Sequence, residues 1–143
     1  VLLAALEAPT ESELLAVQDG ARPLVTPELI DQVVSAAARC GAAAPAVLIK
    51  DTVKEVRDGG AVERTLNREV LRAGQTPQVF DAELLKAALQ AALEREDFVT
   101  DDCSAVERLG KVVFLVDGDE ENIKITTPVD MVVAEAILEA REE

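Results

Sequence analysis

Asp19 and Arg22 stand three residues apart in Gln18-Asp19-Gly20-Ala21-Arg22-Pro23, directly after the apolar run Leu14-Leu15-Ala16-Val17. In open α/β sheets, ligands bind in the crevice outside the carboxyl ends of the strands. A carboxylate placed there can hold a divalent cation, and a guanidinium beside it can grip a phosphate. The competing reading of the same turn is an Asx-turn with a surface arginine.

Further residues could share that chemistry, each with a plainer alternative. Thr52 and Lys54 follow the run Ala46-Val47-Leu48-Ile49, or simply face solvent on a hairpin. Arg68, after Asn67, is a second guanidinium that could equally be a surface residue. Thr76 and Thr100 offer hydroxyls from loops, although Thr100 also suits a helix cap. Lys124 lies between Ile123 and Ile125 and follows an acidic turn, so it either pairs with Glu120 or Glu121 or supplies charge to a phosphate. Together these residues describe a phosphate-handling site that uses a metal. Nucleotidyl transfer needs charge neutralisation and in-line positioning more than covalent help.

The sequence contains no histidine, which excludes a Ser-His-Asp or Cys-His machine. Cys40 and Cys103 are isolated and read as buried free thiols, not zinc ligands. A net charge of −14 repels nucleic-acid backbones. No apolar run is long enough to span a bilayer and no secretory signal is recognisable, so the chain reads as soluble and cytoplasmic.

The elements that must position these residues follow from periodicity. Leu14–Val17 and Ala46–Ile49 read as strands buried on both faces, joined by a helix that Thr26-Pro27 opens and Gly41 closes. Thr52–Val56 and Ala61–Leu66 alternate apolar and polar around Asp58-Gly59-Gly60, which predicts a β-hairpin with one buried and one wet face. Two strands alone are marginal in water, so this hairpin should project and lean on a partner. Gln75–Gln78 reads as a loop into a helix from about Asp81 to Arg95. A short helix follows Thr100-Asp101-Asp102, then a buried strand at Lys111–Val116, an extended piece at Asn122–Ile125 and a last helix capped by Thr127 with Asp130. The pattern predicts an α/β fold with a mostly parallel sheet, crossover helices and one projecting hairpin.

The segments Gln18–Pro23, Asp51–Lys54, Gln75–Gln78, Thr100–Asp102 and Asp119–Thr126 occur in the order of the motifs of the 2-C-methyl-D-erythritol 4-phosphate cytidylyltransferases, which the whole chain resembles. The resemblance implies a Rossmann-like nucleotide-diphospho-sugar transferase fold, truncated, with residues 1–143 as the C-terminal part of one domain. It implies transfer of CMP from CTP to 2-C-methyl-D-erythritol 4-phosphate with release of pyrophosphate, in non-mevalonate isoprenoid biosynthesis. Asp19, with Gly20 beside it, would approach the CTP ribose and Mg2+. Arg22, Thr52, Arg68, Thr76, Thr100 and Lys124 would hold the methylerythritol phosphate, with Arg68 and Lys124 counted as catalytic. The hairpin at residues 50–69 resembles the family's dimerisation arm, which carries the positions of Thr52 and Arg68 into the partner subunit of a homodimer.

Two departures accompany the resemblance. The family's Ala-Ala-Gly-x-Gly-x-Arg loop and the lysine after it, which wrap the triphosphate, precede Val1 in the family's order. Val1-Leu2-Leu3 opens mid-helix without a cap, so the chain as given is expected not to turn over CTP. Arg72 stands where the family commonly has tryptophan. The alternatives are a cytidylyltransferase for another polyol phosphate, such as ribitol 5-phosphate, and a non-catalytic fragment or dimerisation module. A cyclase domain beyond Glu143 is a further possibility.

Overall fold

A computed structural model describes residues 1–143. Thr26 caps α2 (Pro27–Cys40), its hydroxyl accepting from the Leu29 amide, and Gly41 ends it with φ 87°, a left-handed conformation that favours glycine. The chain passes at once into β2 (Ala42–Leu48), which therefore starts earlier than the Ala46–Ile49 expected. Before them come α1 (Leu2–Glu7) and β1 (Leu14–Val17). After them come β3 (Lys54–Val56), β4 (Val62–Thr65), β5 (Arg72–Gly74), β6 (Gln78–Asp81), α3 (Ala82–Glu94), α4 (Asp102–Arg108), β7 (Phe114–Asp117) and α5 (Pro128–Glu142).

The sheet corrects the expectation of mostly parallel pairing. β6 runs antiparallel to both β1 and β2, β5 is antiparallel to β2, and only β7 pairs in parallel, with β2. Since β1 and β2 both oppose β6, they point the same way, as a strand–helix–strand unit joined by α2 requires. β6 has slipped between them, while β5, earlier in the same segment, pairs with β2 alone. The segment lay hidden because Gln75-Thr76-Pro77-Gln78 looks like loop, yet all of these residues are buried.

Strand alternation then divides the core in two. Ala42, Ala44 and Phe80 face α3 and α4, meeting Leu85, Leu89, Ala105 and Val106. Ala43 and Val79 face the other way, onto Leu29, Val33, Ala36 and Ala37 of α2. The small alanines of β2 let helices pack closely on both faces. By contrast, β1 is only half buried and β7 is mostly exposed, with Phe114 51% and Leu115 52% accessible, so neither is the fully buried strand expected.

β3 and β4 form a separate two-stranded sheet turned by Asp58–Gly60, with Gly59 and Gly60 both at φ 81°. The hairpin projects as expected, but every residue of its strands is exposed, so neither face is buried within this chain. Asn122–Ile125 forms no strand; one backbone–backbone bond, from the Ile125 amide to the Ala21 carbonyl (2.8 Å), ties it to the turn after β1. Of the two free thiols, Cys103 is buried but Cys40 is exposed, contrary to expectation, because it sits at the last, outward-facing position of α2. No helix is long and apolar enough to cross a membrane.

Candidate functional site

The turn after β1 places Asp19 and Arg22 at one end of the sheet. The Asp19 amide donates to Thr76 Oγ1 at 3.1 Å, which fixes the turn against the β5–β6 segment. Arg22 Nε donates to Asp19 Oδ2 at 3.4 Å and Nη1 to the Asn122 carbonyl at 2.8 Å. The Arg22 side chain is only 12% exposed, so its guanidinium is held from several sides.

Lys124 Nζ meets the same Asp19 Oδ2 at 3.7 Å. The acidic turn does not claim it: Glu120 pairs with Lys50 (3.2 Å) and Glu121 with Arg141 (3.8 Å). The alternative reading of Lys124 as a partner of Glu120 or Glu121 is therefore set aside. Arg22 and Lys124 together carry one more charge than the Asp19 carboxylate they share.

Asp19, Arg22, Thr76, Thr100 and Lys124 line one cavity of about 400 Å³, together with Gln75, Gln78, Asp101 and Asp102. Gly20 belongs to the same turn but does not line the cavity, and Thr52 and Arg68 lie outside it on the exposed arm. Arg68 instead donates to the Lys50 carbonyl at the base of the arm. Arg72 donates to the carbonyls of Glu69 (2.9 Å) and Leu71 (2.8 Å), closing the turn beyond β4 without an aromatic ring.

The opposite wall is the start of α4. Asp101 caps this helix, accepting from the Ser104 amide at 2.8 Å, so Thr100 is not the cap and its side chain faces the cavity margin. Burial raises the Asp102 carboxyl above its ordinary value, and the carboxylates of Asp101 and Asp19 add to that. Burial likewise pushes the Cys103 thiol up, which makes it unreactive.

No group of three or more acidic or thiol side chains converges as a ready-made metal cage. Mg2+ does not need one, since it is commonly held by one or two carboxylates plus substrate phosphates and water. Asp19 lines the cavity with both cations on Oδ2, so only its Oδ1 could contribute to that minimal donor set.

Sequence reasoning overlooked the buried amides: Gln75, Gln78 and Asn122 are each at most 6% exposed. The available signal was a polar side chain beside an apolar run, as in Gln78-Val79-Phe80, where exposure would be the ordinary expectation.

Residues 1–140 match the family described as IspD, 2-C-methyl-D-erythritol 4-phosphate cytidylyltransferase. The chain belongs to this family. It is 55% identical over 133 residues to the 2-C-methyl-D-erythritol 4-phosphate cytidylyltransferase of Desulforamulus reducens, covering 93% of this chain and 57% of that protein. The Geobacillus kaustophilus enzyme of the same name is 46% identical, covering 95% of this chain and 59% of the relative. The crystal structure of the Thermus thermophilus enzyme superposes with a TM-score of 0.87 at 37% identity, over 96% of this chain and 67% of that one. The chain thus spans under three fifths of the length of these two curated relatives (57% and 59%). The cytidylyltransferase resemblance and the α/β fold class are both borne out.

Proposed function

We propose that the complete protein transfers CMP from CTP to 2-C-methyl-D-erythritol 4-phosphate, and that this chain forms the acceptor side of the site. The observation that carries the reading is the convergence of Arg22 and Lys124 on Asp19 in a cavity also lined by Thr76 and Thr100. A phosphate oxygen of the acceptor attacks the α-phosphorus of CTP; the new P–O bond forms as the α–β bridge breaks and pyrophosphate leaves. Arg22 and Lys124 neutralise the acceptor phosphate, so that two anions can approach. Thr76 and Thr100 offer hydroxyl donors to its oxygens. Asp19 would hold Mg2+, which supplies charge neutralisation on the triphosphate.

The arm extends the reading to a homodimer in the cytoplasm. Val56 and Val62 are 60% and 53% exposed on a hairpin that this chain leaves uncovered, and a partner subunit would bury them. In that dimer Thr52 and Arg68 reach the partner's cavity, and Arg68 becomes a clamp on the acceptor phosphate. The test is pyrophosphate release by the complete protein with CTP, Mg2+ and either methylerythritol phosphate or ribitol 5-phosphate. Turnover with the first is expected; equal or faster turnover with the second would reject the assignment.

A further inference from the structure

Lys124 lies on a segment without strand pairing, and Arg22 on a turn, so something besides backbone ladders must hold them in register. The side chain of Gln75 does this for one wall. Its Nε2 donates to the carbonyls of Asp119 (2.8 Å) and Asn122 (3.3 Å). Its Oε1 accepts from the Asp119 amide (3.2 Å) and from Asn122 Nδ2 (3.4 Å). Asn122 Nδ2 donates in turn to the Thr76 carbonyl at 2.9 Å. Turning the Asn122 amide over would set oxygen against oxygen at both contacts, so its orientation is determined. Asn122 is fully buried, and its carbonyl is the one that receives Arg22 Nη1. Gly118 completes the clasp: a Cβ there would lie 2.6 Å from Gln75 Oε1 and 3.0 Å from the Ala46 carbonyl, so only glycine admits this approach.

We propose that Gln75 is a positioning residue, which through Asn122 sets the Arg22 guanidinium and the Lys124 ammonium opposite Asp19 for a phosphate-bearing acceptor. The proposal rests on the function assigned above and adds a residue that itself performs no chemistry. A buried amide with both its donor and its acceptor engaged replaces the missing ladder between the β5–β6 segment and residues 118–124. Its loss frees that segment to shift, and a displacement of about 1 Å at a reacting centre can cost on the order of 100-fold in rate.

The test is a double-mutant cycle in the complete protein, with CTP, methylerythritol phosphate and Mg2+. Gln75→Ala is expected to lower kcat/KM for the acceptor about 10- to 100-fold, with a much smaller change in KM for CTP. In an Arg22→Ala background the same substitution should cost clearly less than in the wild type, because the share of its effect that passes through Arg22 is already lost and only the share through Lys124 remains. Additive losses, or equal effects on both substrates, would overturn the proposal. Gly118→Ala, which wedges the clasp apart without removing it, is expected to reproduce the pattern and carries the test if Gln75→Ala fails to fold. An activity-independent readout separates this inference from the function itself. The Arg22 Nε–H resonance should be sharp in the wild type and broadened by exchange in either variant; an unchanged resonance rejects the positioning role whether or not the protein turns over CTP.

Discussion

Arg22 and Asn122 are 100 residues apart in sequence, yet Nη1 of the first donates to the main-chain carbonyl of the second at 2.8 Å. This bond ties the turn after β1 to the loop that carries Lys124, and both cations meet the same Asp19 oxygen. Exposed ion pairs contribute little, but a guanidinium with 12% exposure and several acceptors is held in one orientation.

Lys124 and Lys111 separate a site cation from a surface one. Lys124→Met in the complete protein is expected to lower acceptor turnover about 100- to 1000-fold. Lys111→Met, at an exposed position before β7, should leave it within about 2-fold. Steady-state kinetics on both variants checks the order; a reversed order would reduce Lys124 to part of a surface ion pair.

Arg68 tests the arm. Arg68→Ala should raise KM for methylerythritol phosphate far more than KM for CTP. If arms cross between subunits, mixing Arg68→Ala with Lys124→Met protein and allowing exchange should restore about a quarter of wild-type activity, since half of the dimers are mixed and each has one intact site. No recovery after verified subunit exchange would place Arg68 outside the partner's site.

Thr76 is buried and its hydroxyl accepts the Asp19 amide. Thr76→Val keeps the shape but leaves that amide unpaired, at an expected cost of about 1–3 kcal/mol in urea unfolding. Thr76→Ser retains the oxygen and should cost less. A larger loss for Thr76→Ser than for Thr76→Val would mean that the methyl packing, not the hydrogen bond, matters.

Two carboxyls should give opposite pH signatures. Asp130 accepts from the Thr126 and Thr127 amides and hydroxyls, and these bonds, the Thr126 amide first, hold its carboxyl below the ordinary value. The stability it contributes is present above the unfolded carboxyl's titration and is lost as pH falls through the lowered folded value. Asp130→Asn should therefore lower Tm at neutral pH, with the difference vanishing in acid. Asp102, raised by burial, disfavours the folded state once ionised, so Asp102→Asn should raise Tm at neutral pH and do nothing at low pH. Melting curves from pH 3 to 8 decide both.

Much of the site was legible in residue types. Asp19 and Arg22 stand out just beyond an apolar run, Thr76 and Thr100 as loop hydroxyls and Lys124 as a cation between two isoleucines, and all five line one cavity. Thr52 and Arg68 were picked out by the same logic but sit on the arm, where local pattern carries no information about a second subunit. Gln75 escaped because nothing in a glutamine's neighbours announces that both ends of its amide will be satisfied in the interior, and Asn122 because its burial follows from that distant partner.

The sequence alone determined the local elements: caps at Thr26 and Thr127, the glycine end of α2, and the alternation of the hairpin. These depend on neighbours within a turn or two, so short-range pattern suffices. Only the tertiary structure decided that β6 lies antiparallel between β1 and β2, and that Asp19, Arg22 and Lys124 meet. Strand order and the pairing of distant side chains follow from which complete set of contacts buries the apolar faces and satisfies the polar groups together, and no single segment records that outcome.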